Sequence, residues 1–239
     1  MSQINKQVIM KTRPVGMPVL ENFEIKESPV PEIRHGEVLI QILWLSLDPY
    51  MRGRMSTAKS YAASLNEGDV IVGGAVGRVL ETKSPEYNKD DIVEGFTLGW
   101  QEYAIANPSS IRKVDPSLAP IQTAVGVLGM PGMTAFFGLL HVGKPIAGDT
   151  VVVSAASGAV GQLVGQIAKI GGCKVVGIAG GKEKCSFLIN TLNFDEAIDY
   201  KNENIDKKLK EYCPDGVNVY FDNVGGKITD AVINQLANY

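Results

Sequence analysis

Apolar and polar positions follow two different patterns along the chain. In residues 1–120, short apolar runs recur at 38–45, 70–72, 76–80, 92–93 and 101–105. Turn formers separate them, among them Pro29, Pro31, Gly36, Gly68, Gly73, Gly74 and Gly95. Short strands with frequent turns predict a small β-barrel or sandwich. From 121 onward the pattern changes. Residues 121–140 read as helical material interrupted at Pro131-Gly132. Val/Ile-rich strands at 150–154, 174–179, 196–200 and 217–222 then alternate with helices at 159–170, 182–192, 205–212 and 226–236. Continuous apolar strands alternating with helices predict a parallel sheet covered on both faces. The expected fold class is α/β in two domains, a β domain over 1–120 and a Rossmann-type domain over 121–239.

Composition narrows the functional classes. The 239 residues are 45% hydrophobic, enough to give both regions a core. A formal net charge of −3 lacks the basic footprint of a nucleic-acid binder, and the mixed-sign stretch 201–211 reads as a solvated helix face. Three widely spaced cysteines, Cys173, Cys185 and Cys213, suit a reducing compartment better than a disulfide framework. The first residues hold no apolar signal core, and no apolar run is long enough to span a bilayer. The expectation is a cytoplasmic protein with no nucleic-acid or membrane partner.

The strongest chemical signal is Ala156-Ser157-Gly158-Ala159-Val160-Gly161, with an apolar strand before it and a helix after it. This is the G-x-G-x-x-G frame with Ala156 in the first place. Gly158 lets the backbone approach a pyrophosphate, and Gly161 lets the helix pack closely on the strand. Free N–H groups and the dipole at the helix start favour an anion. A dinucleotide is therefore expected. NAD sites place a carboxylate at the end of the second strand to hold the ribose 2′-hydroxyl. Here that strand ends in Ala179-Gly180-Gly181, and Lys182-Glu183-Lys184 follows. Glu183 is the one carboxylate that could reach a ribose. Lysines at a helix N-terminus are mildly unfavourable without a ligand, so the pattern points to a 2′-phosphate and NADP(H).

Four stretches occurring in order carry a resemblance. They are Leu45-Ser46-Leu47-Asp48-Pro49-Tyr50-Met51-Arg52-Gly53-Arg54-Met55, Gly129-Met130-Pro131-Gly132-Met133-Thr134-Ala135, the glycine turn, and Phe221-Asp222-Asn223-Val224-Gly225-Gly226. Together they resemble the zinc-independent medium-chain dehydrogenase/reductases, in the prostaglandin reductase and 2-alkenal reductase branch, over essentially the whole chain. The resemblance implies a GroES-like β-barrel domain and a Rossmann domain. It also implies NADPH-dependent reduction of the C=C bond of α,β-unsaturated aldehydes and ketones, and a homodimer. Carried over by motif, it places phosphate contacts on Gly158, Ala159, Val160 and Gly161, and the 2′-phosphate on Lys184. Tyr200 then flanks the adenine ribose, Asn223 contacts the cofactor, Met130 and Thr134 lie near the nicotinamide, and Tyr50 faces the substrate.

Other chemistries lack their residues. Zinc needs three or four Cys or His ligands in one place. The chain has two histidines, His35 in an expected loop and His141 at an expected helix end, and no cysteine before Cys173. No metal is therefore expected. Gly-x-Ser-x-Gly is absent. The substrate carbonyl would then be polarised by hydrogen bonds, with Tyr50 as the candidate donor. A full Rossmann unit has six parallel strands, whereas four are readable here. An incomplete sheet, an open edge beside the fourth strand and weakened catalysis are expected. A quinone reductase and a non-catalytic NADP(H)-binding protein remain open at this level.

Overall fold

The first strands are ones the apolar pattern does not announce. In the computed structural model, which describes residues 3–238, Ile4–Met10 (β1) and Phe23–Pro29 (β2) pair antiparallel from Ile4↔Pro29 to Met10↔Phe23. Val38–Leu45 (β3) matches its expected run. It is followed by the short helix Tyr50–Arg54 (α1), then Ala75–Thr82 (β4), Ile92–Gly95 (β5), Tyr103–Ala106 (β6) and Arg112–Lys113 (β7). Five of these strands form one antiparallel sheet in the order β6-β3-β4-β5-β7. Val38, Ile40, Val79 and Val93 are fully buried within it. This is the antiparallel half of the α/β fold. Residues 70–72 do not form a strand. Val70 makes a single bridge to Ile9, and Ile71 is buried beside Met10, Met55 and Leu65. The two glycines that follow at 73–74 leave no side chains to extend such a strand.

The chain divides between Val125 and Gly126, because the 3₁₀ turn Ile121–Val125 packs on β3, β4 and β5. The second unit opens with Met130–Phe136 (α2). Pro131, read as an interruption, sits in the first turn, where the N–H that proline lacks would have had no intrahelical partner. The chain continues through a π-helical turn, Phe137–Gly143, that ends at Lys144 with φ 49°. His141 is exposed within that turn, with the Phe137 ring 5.0 Å away.

The parallel sheet comprises Thr150–Ser154 (β8), Lys174–Ala179 (β9), Glu196–Asp199 (β10) and Val219–Phe221 (β11), in the order β10-β9-β8-β11. Gly161–Ile170 (α3), Lys182–Asn190 (α4), Ile205–Tyr212 (α5) and Gly226–Ile233 (α6) follow the strands in turn. The two-residue side-chain alternation is visible in the burial. Val151, Val153 and Val175 pack with Leu139, Val164 and Leu188 on one face. Val152, Val176, Ile178 and Ile198 pack with Leu209 and Val232 on the other. A fully buried Val or Ile contributes about 1.5–3 kcal/mol. A solvent-facing ion pair such as Lys208–Glu211 contributes little by comparison. The β8–β9 centre therefore fixes this unit. Among the described residues, no helix is long and apolar enough to cross a membrane.

Candidate functional site

The carboxyl ends of β8, β9 and β10 and the loop after β11 converge on one cavity. Beyond Ser154 the chain turns sharply. Ala155 takes φ 45°, Gly158 N–H donates to the Ala155 carbonyl at 2.9 Å, and Ala156 N–H donates to Ile178 at 3.1 Å. Gly158 and Ala159 are exposed, Val160 is half-buried and Gly161 is buried. A Cβ at Gly161 would strike the Ala155 carbonyl oxygen and lie 2.8 Å from the Ala156 Cα, so only glycine lets α3 start this close to the turn. Gly161→Val should cost at least about 1–3 kcal/mol through overpacking. The check is a lowered Tm relative to Gln162→Ala, a change at a half-buried neighbour.

The cavity holds about 330 Å³ and is lined by Gly158, Lys184 and Tyr200 among the expected residues. Ala155, Ser157, Ala179, Gly180, Val224 and Ile228 complete it, none of them singled out beforehand as a contact. No carboxylate lines it. The volume is at the lower end of the range for small-molecule pockets and suits the adenosine-phosphate end of a dinucleotide rather than the whole. Lys184 is exposed in the first turn of α4, and Tyr200, also exposed, follows β10. The donor set is a cation, exposed backbone at a helix start and an aromatic ring. It fits a phosphorylated adenosine, and offers no lining carboxylate for a ribose 2′-hydroxyl.

Two carboxylates hold the walls. At the end of β10, Asp199 accepts from Gly181 N–H (2.7 Å), Lys201 N–H (3.1 Å) and the Asn202 amide (2.7 Å). The Asn202 amide, then the Gly181 N–H, hold its carboxyl below the usual carboxylate range. At the end of β11, Asp222 accepts from Ser154 Oγ (3.1 Å), Tyr220 Oη (3.0 Å), Val224 N–H (2.9 Å), Gly225 N–H (2.9 Å) and Thr229 Oγ1 (2.6 Å). Desolvation alone would raise this carboxyl. The bonds from Thr229, Gly225, Val224 and Tyr220 outweigh it and hold the group far below the usual range. Ser154, fully buried, in turn accepts from Asn223 N–H at 2.8 Å. The sequence reading missed both carboxylates. An Asp followed three residues later by Gly225 is an Asx-turn pattern, which was the available signal for the second.

The remaining expected residues lie elsewhere. Asn223 turns its amide to the Ser154 carbonyl at 2.9 Å. Met130 and Thr134 sit on α2, where the Thr134 hydroxyl donates to the Met130 carbonyl at 2.8 Å. Tyr50 begins α1. Its hydroxyl accepts from Gly74 N–H at 3.1 Å and points to the Phe96 carbonyl at 3.5 Å, too long for a firm bond. Burial, against the Gly74 N–H and with Asp48 nearby, raises its pKa, so the phenol stays protonated at neutral pH. No three His, Cys, Asp or Glu side chains among the described residues form a group that would hold a metal.

Residues 6–114 match a family model described as the N-terminal domain of oxidoreductase, and residues 159–239 match one described as zinc-binding dehydrogenase. The putative NADP-dependent oxidoreductase YfmJ of Bacillus subtilis (strain 168) is 50% identical over all of this chain and 70% of its own length. The NADP(+)-dependent 2-alkenal reductase of Nicotiana tabacum is 48% identical over 98% of this chain and 70% of its own. The chain belongs to the zinc-independent medium-chain dehydrogenase/reductases. The solved structure of CurA from Vibrio vulnificus in complex with NADPH has a TM-score of 0.91 at 47% identity, covering 97% of this chain and 68% of that one. The chain spans about 70% of the length of the two relatives named.

Proposed function

We propose that this chain is an NADPH-dependent reductase of the C=C bond of α,β-unsaturated aldehydes and ketones. The observation that carries the reading is the cavity at the glycine turn. It holds Lys184 and no carboxylate, in a chain whose relatives include an alkenal reductase. Gly158 lets the chain approach the pyrophosphate, the backbone at 159–161 where α3 starts offers it N–H groups, and Lys184 and Tyr200 hold the 2′-phosphate end. Bound NADPH would supply a hydride for the β-carbon of the enal, and a proton from solvent at the α-carbon would complete the saturated product. The Tyr50 phenol, kept protonated by its surroundings, donates a hydrogen bond to the substrate carbonyl oxygen and steadies the charge that grows there. Three free cysteines support a reducing, cytoplasmic setting.

The test follows NADPH oxidation with 2-hexenal and identifies the product. The saturated aldehyde is expected. An allylic alcohol, or turnover with a quinone but not with the enal, overturns the reading. Tyr50→Phe should lower kcat by about 10²-fold, as for the loss of one donor to a developing oxyanion, with NADPH affinity unchanged.

A further inference from the structure

Gly180 directly follows the second strand, where an NAD site would carry its acidic residue. The structure shows what occupies the space instead. A Cβ at Gly180 would lie 2.8 Å from Tyr200 Cε1 and 2.9 Å from Lys201 Cε. The exit of the third strand therefore folds over the end of the second. We propose that Lys201 is a second cation of the 2′-phosphate site and that, together with Tyr200, it bars an acidic side chain from position 180. The inference rests on the NADP(H) reading above.

Three observations support it. Lys201 Cε stands against Gly180, and Gly180 lines the cavity together with Lys184. One oxygen of Asp199, Oδ1, accepts both Gly181 N–H and Lys201 N–H. That shared acceptor ties the backbone of Lys201 to the turn leading into α4, where Lys184 sits. Finally, no ion pair within 4.0 Å engages the ammonium of Lys201 or Lys184 among the described residues. The carboxylate beside Lys201, Asp199, already takes the Asn202 amide and two backbone N–H groups. Lys184 thus lines a cavity without a carboxylate, and Lys201 stands beside it with Asp199 as its near counter-charge.

The test measures NADPH and NADH dissociation constants by fluorescence for the wild-type chain, Lys201→Met and Lys184→Ala. Methionine keeps the bulk over Gly180 and removes the charge. Lys201→Met should weaken NADPH roughly fivefold, as expected for one exposed charge-assisted contact, and leave NADH unchanged. Gly180→Asp should weaken both cofactors, and because the Tyr200 ring still stands against position 180, adding Lys201→Ala should not restore NADH. Unchanged NADPH affinity in Lys201→Met, with Lys184→Ala weakened, overturns this inference alone. So does an equal loss for both cofactors. A wild-type preference for NADH overturns the reading on which it rests.

Discussion

Lys184→Ala is expected to weaken NADPH binding by roughly 10- to 100-fold and to leave NADH binding unchanged. Hydrogen bonds to charged groups contribute about 1.5–3 kcal/mol, and each 1.4 kcal/mol is about tenfold in Kd. Lys184 is exposed in the first turn of α4 and lines a cavity that has no carboxylate to neutralise it. Its charge there is unfavourable toward the helix dipole, so removing it should not destabilise the free protein. The effect should fall on the phosphorylated cofactor alone and shrink as salt rises. Equal weakening of both cofactors would mean that Lys184 shapes the cavity rather than binding the 2′-phosphate.

The second large effect concerns Asp222. Its carboxylate gathers five donors from β8, β11, the following loop and α6. Asp222→Ala should cost about 1–2 kcal/mol, the lower range for unpaired polar groups because the site is open to water, and lower Tm by about 2–8 °C for a chain of this size. It should also weaken NADPH and NADH alike, because Val224, released with the loop, lines the cavity. Asp222→Asn keeps the shape and removes the charge. The native carboxyl has a depressed pKa, so its stabilisation is complete above the unfolded value near about 4. It is lost progressively as pH falls below that toward the native value. Thermal melts from pH 6 down to pH 3 should therefore fall more steeply in the wild type than in Asp222→Asn. Parallel slopes would contradict this assignment.

The parallel half of the fold was legible because its strands are buried on both faces, and a strand such as Val151-Val152-Val153 has no alternative surroundings. β8, β9 and α5 keep their expected limits for that reason. β1 and β2 were not legible. Their sequences, INKQVIM and FEIKESP, are largely exposed or half-buried, and their pairing is decided by partners about 20 residues away. The glycine turn and Lys184 could be read locally, since strand, turn and helix are contiguous. The contributions of Asp199, Lys201 and Asp222 could not. Each acts on a strand end distant in sequence, and the β10-β9-β8-β11 order alone brings those ends together.

Titration of the 239-residue chain with NADPH and with NADH, followed by cofactor fluorescence, tests the central claim most directly. The account predicts that NADPH binds at least roughly tenfold more tightly, the gain from one charge-assisted contact to the 2′-phosphate. NADH binding as tightly as NADPH, or more tightly, would contradict it.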